Sequence, residues 1–521
     1  MSTTFAWVGA GALLAFNAAA QTAAPTTATP SGDAPVLARI SESRPAAVEA
    51  NWTPLRLPTG KRIALLGGSY LMAIDEDWGF GPSVYGSAKG NYGGVFTVGL
   101  TAQRRWRLGQ NTHLAASLYA GAGGGLSSSE VRFGGGLMLR PELSLRTEAG
   151  AWYSGVALSH VSFPSGNVKG SSIGFVLGRA ASFASFAPTD AGRFGRSTQR
   201  TGLGFDEITV QGGLYKPRAG TRNRSGVAST ARMGKAGADL RHYIAEGSWW
   251  GVEASGAAQG GADGYMEVLA NAGQDWAIGH PSLRLGGQLA VGLGGGGNVD
   301  TGSGWLVRAG PTLRWQTPWG PSVRLDAGLA RATAGNFKSG FVRLGLSLPL
   351  DRPPSFNVWG MEESKPGVVR TQQLYTSVQH LGKVRFKDGR QESITQLGLM
   401  MTRELTPHLY GIGQAGSAAW GSAGAYSYGL VGLGVQARPW AAQPRWSVGA
   451  ELMAGAAGGG GVAVAGGAVA QGEAWTQLNL GQEERLRLRV GLGQWRSLRG
   501  DKQSTHLFNV SVGYAFGSLT R

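Results

Sequence analysis

The chain contains no cysteine, and charged residues make up only 15% of it, against about 25% in an average soluble domain. The missing cysteines exclude disulfide scaffolds, thiolate zinc sites, iron–sulfur clusters and cysteine nucleophiles. Beyond the N-terminus no run of about 18 apolar residues occurs, which argues against transmembrane helices. Lys and Arg number 48 against 31 Asp and Glu. Because the arginines are mostly spaced singly, this basic balance does not predict nucleic-acid binding.

Glycine is the residue in excess, with 88 of 521 positions, more than twice the usual share of roughly 7%. The glycines keep no three-residue period and there are only 22 prolines, which excludes a collagen helix. The chain also has 17 tryptophans. Low charge, abundant glycine, many tryptophans and no cysteine together favour a transmembrane β-barrel, whose alternating strands do not stand out in hydropathy averages.

The N-terminus has features of a secretory signal peptide over residues 1–20. Residues 5–16 form a short apolar run, and residues 18–21 read Ala-Ala-Ala-Gln, which suits cleavage. No Lys or Arg precedes the run, so a buried N-terminal helix is the alternative. Residues 21–58 are rich in Ala, Thr, Pro and Ser without a sustained period, and we expect a flexible periplasmic segment there. The barrel is then expected over 59–521.

From residue 60 onward, apolar residues recur at every second position, the period of a β-strand. In 283–293, Leu and Val occupy one face, while Arg284, Gln288 and small residues occupy the other. The same alternation recurs in 323–329, 342–350, 485–492 and 508–516. A soluble sandwich would place large side chains inside and mainly Lys, Glu and Thr outside. We therefore assign the apolar face to lipid and the Arg, Gly and Ser face to the lumen of an antiparallel barrel.

Several tryptophans lie near strand ends, as expected at the two membrane interfaces: Trp78, Trp305, Trp315, Trp319 and Trp495. With the signal-like start and the final strand over 508–516, these features make the chain resemble Gram-negative outer-membrane β-barrel proteins as a general class. The resemblance implies location in the outer membrane, contact with lipid and lipopolysaccharide, and insertion by the barrel-assembly machinery. The chain departs from the class by continuing to Arg521 beyond its last aromatic residue.

The barrel region contains an internal repeat of about 165 residues. A glycine-rich motif occurs three times, at 119–125, 290–296 and 453–459. The repeat units lie near 59–182, 231–350 and 387–517. With the stretches between them, the units supply about 22–24 strand candidates. We expect all of these strands to close one large barrel, and three small barrels in series are the alternative.

The glycine tracts within the repeat have two interpretations. A ligand could approach the bare backbone closely, or the glycines could serve strand coiling, bulges and tight packing in a curved sheet. We favour the second interpretation. The tracts are not phosphate-binding loops, because no Gly-Lys-Ser/Thr sequence follows them.

Motifs for catalysis or metal binding are scarce. The seven histidines are scattered, so the sequence predicts neither a metal site nor a bound cofactor. His160 and Ser162 end a strand and share a face, so His160 could activate Ser162 as a nucleophile. This segment resembles the His-x-Ser motif of outer-membrane lipid A deacylases, although Phe163 stands where that family has Asn. We expect no enzyme, and a lipid A-modifying hydrolase is the weakest alternative.

Ten arginines fall on the face assigned to the lumen: Arg140, Arg146, Arg284, Arg308, Arg314, Arg324, Arg343, Arg485, Arg487 and Arg489. Facing lipid, each would cost about 2–4 kcal/mol near the bilayer midplane. Their charges could form a positive ring that favours anions. They could equally form cross-strand ion pairs with Glu142, Asp326 and Glu473, which would stiffen the wall.

The leading functional expectation is a passive, porin-like and anion-favouring channel. Its cargo would be a small anionic solute or an exported anionic polymer such as an exopolysaccharide, because lumenal arginines lower the barrier for negative charge. The alternative from another class is a structural or surface-interaction barrel, whose lumen is filled by paired charges and loops. Paired removal of lumenal arginines should alter ion selectivity only in the first case.

Overall fold

Strands make up almost all of the regular structure. The structure, a computed structural model, describes residues 37–351, 366–439, 445–500 and 502–520. The predicted signal peptide lies outside these residues. They contain 25 β-strands and one three-residue 3-10 helix, Pro188–Asp190. None of the helical structure described is long and apolar enough to cross a membrane. The predicted all-β fold is confirmed.

The first eight strands close into a barrel. They are β1 (Glu42–Arg56), β2 (Arg62–Ala73), β3 (Trp78–Lys89), β4 (Phe96–Arg107), β5 (Thr112–Gly124), β6 (Leu137–Ala149), β7 (Trp152–Ser162) and β8 (Lys169–Ser185). Each strand pairs antiparallel with its sequence neighbour, and β1 also pairs with β8. The last pairing leaves no free edge in this sheet.

A second barrel follows after a short strand, β9 (Phe194–Gly195). Its strands are β10 (Glu207–Pro217), β11 (Met233–Ala245), β12 (Ser248–Gln259), β13 (Met266–Ile278), β14 (His280–Gly295), β15 (Trp305–Gln316), β16 (Ser322–Ala332) and β17 (Lys338–Pro349). This sheet is closed by the antiparallel pairing of β10 with β17.

The third sheet is built in the same way. Its strands are β18 (Gly367–Arg385), β19 (Gln391–Glu404), β20 (Leu409–Trp420), β21 (Ser427–Ala437), β22 (Trp446–Gly458), β23 (Ala468–Leu480), β24 (Leu486–Ser497) and β25 (Ser504–Thr520). Strand β18 pairs with both β19 and β25, which closes the ring. The short β9 adds two residues beside the start of β18.

The prediction of one large barrel is wrong, because the described strands close into three barrels of eight strands each. The physical reason is that the first and last strands of each unit hydrogen-bond to one another. No edge is then left through which neighbouring units could merge into one sheet. The three barrels supply 24 long strands, which agrees with the predicted strand number.

The prediction of a flexible segment over residues 21–58 is wrong for the C-terminal part of that range, since Glu42–Arg56 forms β1. The inward face of β1 carries buried Glu49 and Thr53. Pro45 and Pro54 interrupt its alternation, which therefore does not stand out in the sequence. Residues 21–36 lie outside the described residues.

The barrel walls are apolar outside, and their inner faces combine buried polar and charged residues with hydrophobic clusters. On β7, Leu158 is 56% exposed, whereas the adjacent Ser159 is buried. On β17, Leu344 is 58% exposed and the adjacent Arg343 is buried. An eight-stranded barrel has an interior just wide enough for side chains to fill. The alternation predicted from the sequence is thus the alternation of the two barrel faces.

The two ends of the barrels differ in the length of their connections. We call the end where β1 begins the turn end; its connections include 74–77, 150–151, 246–247 and 405–408. We call the opposite end the loop end; its connections include 125–136, 218–232, 296–304 and 459–467. Outer-membrane barrels place short turns in the periplasm and longer loops outside the cell. By this rule the loop end would be extracellular.

Candidate functional site

The lumen of the second barrel is filled by ion pairs. Glu253 lies 2.5 Å from Arg308 and 2.7 Å from Arg343. Arg343 also reaches Asp326, with 2.6 Å between nitrogen and oxygen. All four side chains are more than nine-tenths buried. Each buried charge therefore faces at least one opposite charge, as burial requires.

The same network continues around Asp239, which β11 directs inward. Asp239 lies 2.8 Å from Arg324 and 3.0 Å from Arg241. Arg324 then contacts Asp326 at 3.1 Å, which links this group to the first. Together with the first group, these ion pairs connect five strands of the wall, so they brace the barrel across its bore.

A third group in this lumen surrounds Glu267. Its carboxylate pairs with Lys235 and accepts hydrogen bonds from the hydroxyls of Tyr215, at 3.0 Å, and Tyr265, at 2.7 Å. A cavity of about 20 Å³, lined by Tyr215, Lys235 and Arg308 among others, lies beside this group. Such a space holds about one water molecule. This cavity is far too small to conduct a solute.

The first barrel has a smaller network of the same type. Arg146 lies 2.5 Å from Glu49, which also accepts hydrogen bonds from Tyr153, at 2.7 Å, and Gln103, at 3.2 Å. Arg140 pairs with Glu142 and donates to Thr53 at 2.8 Å. Strands from opposite sides of the barrel thus meet across its bore.

The third barrel centres on Arg489. Its guanidinium lies 2.6 Å from Glu451 and 3.3 Å from Glu473. Asn509 donates to Glu473 at 3.1 Å, and Tyr410 donates to Glu451 at 2.6 Å. Asn509 also donates at 3.2 Å to the second Glu473 oxygen, which the arginine leaves free.

The structure places most of the predicted arginines in the lumens. Eight are buried there beside a carboxylate: Arg140, Arg146, Arg308, Arg314, Arg324, Arg343, Arg487 and Arg489. Arg284 lies at the turn-end mouth of the second barrel, 2.5 Å from Asp275 and 3.1 Å from Glu246. The described structure thus agrees with cross-strand ion pairing, which was one of the two interpretations of these arginines in the sequence.

The placement of Arg485 in a lumen is wrong. Arg485 precedes β24, so the alternation of that strand does not fix its direction. Its guanidinium lies 2.8 Å from Glu42 and donates to Ser41 at 2.6 Å, and both residues belong to the start of the first barrel. The side chain therefore joins the first and third barrels at the turn end.

Sequence reasoning missed most of the carboxylates that pair with the arginines: Glu49, Asp239, Glu253, Glu267 and Glu451. A usable signal existed in strand parity. Asp239 and Arg241 are two residues apart on β11, so they must point the same way. Applying that rule to acidic residues as well as to arginines would have identified these partners.

The predicted His160 and Ser162 lie on the outer face of the first barrel. His160 is exposed and Ser162 half-exposed, with buried Val161 between them, so they share a face as predicted. The Nδ1 atom of His160 lies 2.8 Å from the hydroxyl of Ser171 on β8. Among the described residues no carboxylate pairs with His160, and no group of three or more potential ligands could hold a metal ion. The arrangement lacks the acid that orients a catalytic histidine.

The loop end carries many exposed basic side chains that we call the basic rim. Its members are Arg56, Lys61, Arg62, Lys89, Arg132, Lys169, Lys216, Arg218, Arg232, Arg331, Lys338, Lys383, Arg496, Arg499 and Lys502. Within the described part of the chain, none of them forms an ion pair. The few ion pairs at this end use Lys387 and Arg390 instead. The loop end therefore presents an excess of positive charge, although Glu130, Asp300 and Asp388 also lie in its loops.

The turn end contains a buried ion pair between a linker and the second barrel. Asp206 is fully buried; Arg200 donates to it at 2.6 Å, and so does the backbone N–H of Tyr243, also at 2.6 Å. Burial raises the pKa of Asp206 to about 6, and Arg200 partly opposes this shift. Asp351 accepts hydrogen bonds from Thr201 nearby, so both inter-barrel linkers are fixed at this end.

Comparison with known proteins assigns no family. No family model matches the chain, and no curated protein matches it. Among solved structures, OccK2 (OpdF) of Pseudomonas aeruginosa in complex with glucuronate is 11% identical with a TM-score of 0.23, covering 92% of this chain and 99% of that chain. The outer membrane protein OpdK of the same organism is 10% identical with a TM-score of 0.22, covering 92% and 100%. A mutant of the ferric enterobactin receptor PfeA of Pseudomonas aeruginosa, in complex with enterobactin, is 10% identical with a TM-score of 0.27, covering 92% and 82%. Scores this low carry no weight for fold or function.

Proposed function

We propose that the chain is an integral protein of the Gram-negative outer membrane that acts as a surface-interaction barrel with filled lumens. The observation that carries the proposal is the inverted wall: exposed Leu and Val outside, and buried, paired charges inside. In water such an exterior would cost about 25 cal/mol per Å² of exposed apolar surface. Closed sheets without free edges are also what a lipid environment requires of strands. Insertion would then use the barrel-assembly machinery.

The basic rim supplies the interaction that we propose for this protein. By the rule that outer-membrane barrels carry their longer loops outside the cell, the loop end would be extracellular. There the unpaired lysines and arginines would face the phosphate groups of lipopolysaccharide or another anionic polysaccharide. Phosphate and carboxylate groups are the partners that such a positive surface attracts.

The anion-favouring channel is the second candidate, and the buried arginines on the inner faces of the three barrels favour it. For conduction, however, the pairs around Glu253, Asp239 and Arg489 would have to separate. An eight-stranded bore filled by side chains leaves no path for a polysaccharide. Export of a polymer through any one lumen is therefore less well supported than passage of a small anion.

Single-channel recording separates the two candidates. The full chain would be refolded, shown to be folded by heat-shifted gel mobility, and placed in a planar bilayer under a salt gradient. The filled-lumen proposal expects no stable conductance from the folded protein. A large, stable, anion-selective conductance would overturn it and support the channel.

A further inference from the structure

The three barrels contact one another at the loop end through one recurring arrangement. In each barrel, the loop between the third and fourth strands meets the end of the fifth strand of another barrel. The three loops are 90–95, 260–265 and 421–426. The first barrel's loop meets the second barrel, the second meets the third, and the third meets the first.

The three loops share a backbone conformation. All have six residues, and all begin with a glycine of positive φ: Gly90 at 86°, Gly260 at 97° and Gly421 at 99°. The fifth residue of each loop again has positive φ: Gly94 at 98°, Gly264 at 86° and Ala425 at 84°. Three independent loops would not need the same two left-handed positions, so the contact is built from one repeated element.

Glycine on the receiving strand allows two backbones to approach closely. A Cβ on Gly295, at the end of β14, would lie 2.5 Å from the backbone nitrogen of Gly94. A Cβ on Gly458, at the end of β22, would lie 2.8 Å from the carbonyl carbon of Asp263. A Cβ on Gly124, at the end of β5, would lie 3.1 Å from the nitrogen of Ala425. The predicted role of the glycine tracts in tight packing thus applies between barrels.

Hydrogen bonds recur at two of the three contacts. The backbone N–H of Gly93 donates to the carbonyl oxygen of Gly302 in the second barrel at 2.9 Å. The N–H of Gly424 donates to the carbonyl of Gly134 in the first barrel at 3.0 Å. Both donors are the fourth residue of their loop. At the third contact an ion pair joins Asp263, in the same loop position, to Lys387 at 2.7 Å.

We propose that this contact is a self-recognition interface between copies of one barrel unit, and that the chain is a covalently linked trimer. Head-to-tail contacts that repeat three times close a ring with no unused interface. The glycine motifs at 119–125, 290–296 and 453–459 lie at the end of the fifth strand of their respective barrels. The partner that fits each interface is another barrel of this kind. The proposal stands apart from any binding by the basic rim.

Cleavage of the full chain tests the proposal. A protease site would be inserted at Gly192, which is exposed with no neighbouring heavy atom within 4 Å of a Cβ there. After cleavage, we expect the first barrel to co-migrate with the rest of the chain on size exclusion in mild detergent. Every chain compared would carry Phe186→Ser, because Phe186 packs on Val369 and Leu519 of the third barrel at the turn end. High salt would be used as well, because it weakens the Glu42–Arg485 ion pair there.

Two substitutions on the first barrel remove the interface at both of its contacts. A Cβ on Gly93 would lie 2.9 Å from the carbonyl oxygen of Gly302, and one on Gly135 would lie 2.7 Å from that of Ala419. We expect Gly93→Val with Gly135→Val to lose co-migration after cleavage. Gly109→Val is the matched control, since a Cβ there meets nothing within 4 Å.

Three results of the co-migration assay would overturn the proposal. The cleaved parent chain could separate without any substitution, the double variant could co-migrate as the parent does, or the control could separate equally. Heat-shifted gel mobility of each released piece keeps the test decisive. Loss of the folded band in the double variant, with none in the control, would assign the glycines to barrel folding and reject the self-recognition role.

Discussion

Basic side chains meet opposite conditions in the lumens and on the basic rim. In the second barrel, Arg308, Arg324 and Arg343 each contact two carboxylates or more and are almost completely buried. On the rim, residues such as Lys216 and Arg218 are exposed and have no carboxylate partner within the described residues. The difference teaches that a charge count alone does not locate a binding surface. Burial forces pairing, whereas solvent permits unpaired charge.

The basic excess of the chain is therefore concentrated where it can act on a partner. Lumenal arginines are neutralised within the barrel, so they contribute little field outside it. Rim residues keep their charge in water and attract anions from a distance that salt limits to about 10 Å at ordinary ionic strength. Substitutions in the two groups should therefore differ in their effect on stability, on binding and on the salt dependence of binding.

Removing a lumenal carboxylate should have the largest effect. Glu253→Gln leaves both Arg308 and Arg343 without the carboxylate that they share. Breaking a buried pair by removing one partner costs about 3–5 kcal/mol. We expect the free energy of unfolding to fall by about that amount, measured from the urea dependence of the heat-shifted gel band.

Glu246→Gln is the control for this substitution. Glu246 pairs with Arg284, but its side chain is 77% exposed. Exposed ion pairs contribute about 0–1 kcal/mol, so little change is expected. If the two variants lost equal stability, the lumenal pairs would not be buried in the folded protein, and the filled-lumen proposal would fail.

Placing an arginine on the lipid face should have the next largest effect. Leu158→Arg puts a charge on the outer face near the middle of β7, where Leu158 is 56% exposed. Near the bilayer midplane such a change costs about 2–4 kcal/mol. Val227→Arg is the control, because Val227 is 61% exposed but lies in a loop at the loop end. Urea unfolding in lipid vesicles would compare them, and equal effects would contradict a membrane around β7.

Asp206 is intermediate between the two regions, being buried but outside the strands. Its folded-state pKa of about 6 lies above the ordinary value of 3.8, so the folded state binds the extra proton. The free energy of unfolding should therefore fall as pH rises from about 4 to about 6, by about 3 kcal/mol. Asp206→Asn should remove this slope. Parallel pH curves for the parent and the variant would show that burial does not shift this group.

The sequence predicted the strands and their faces because lipid imposes a simple rule on both. Leu158 and Leu344 alternate with polar residues. Because a charged side chain facing lipid is costly, the assignment of the two faces is clear. Closure could not be predicted in the same way. Whether β8 pairs with β1 or with the next unit depends on contacts between strands that are far apart in sequence, and unpaired backbone edges look alike in every strand.

The candidate site was predicted in part for a similar reason. The inward direction of Arg146 and Arg489 follows from strand parity, but their partners Glu49 and Glu451 lie on other strands. Residues that pair across a lumen are fixed by strand order and register, which the sequence does not display. The prediction for Arg485 is wrong because this residue precedes β24, so the alternation of that strand does not fix its direction.

Substitutions on the rim should have the smallest effect. They should change the free energy of ligand binding and leave the free energy of unfolding unchanged. Arg218→Gln with Arg232→Gln removes two exposed charges that have no ion-pair partner among the described residues. A basic residue near an anionic surface contributes about 1 kcal/mol, so affinity for a phosphorylated saccharide should fall by roughly 2 kcal/mol, ~30-fold. The probe would be deacylated lipopolysaccharide, titrated onto the full chain in detergent.

A second double variant at another position, and the salt dependence of binding, test whether the loss of affinity is specific to the rim. Arg107→Gln with Arg445→Gln removes the same charge from exposed sites at the turn end, where carboxylates such as Glu148 and Glu483 dilute the positive field. We expect little change in affinity from this pair, and a weaker salt dependence only in the rim variant. Inorganic phosphate as a second probe separates recognition of a polyanion from capture of single phosphates, since one phosphate cannot span several rim residues. An equal loss of affinity in both variants would mean that the rim acts only through the net charge of the protein. The rim would then not be a distinct binding surface.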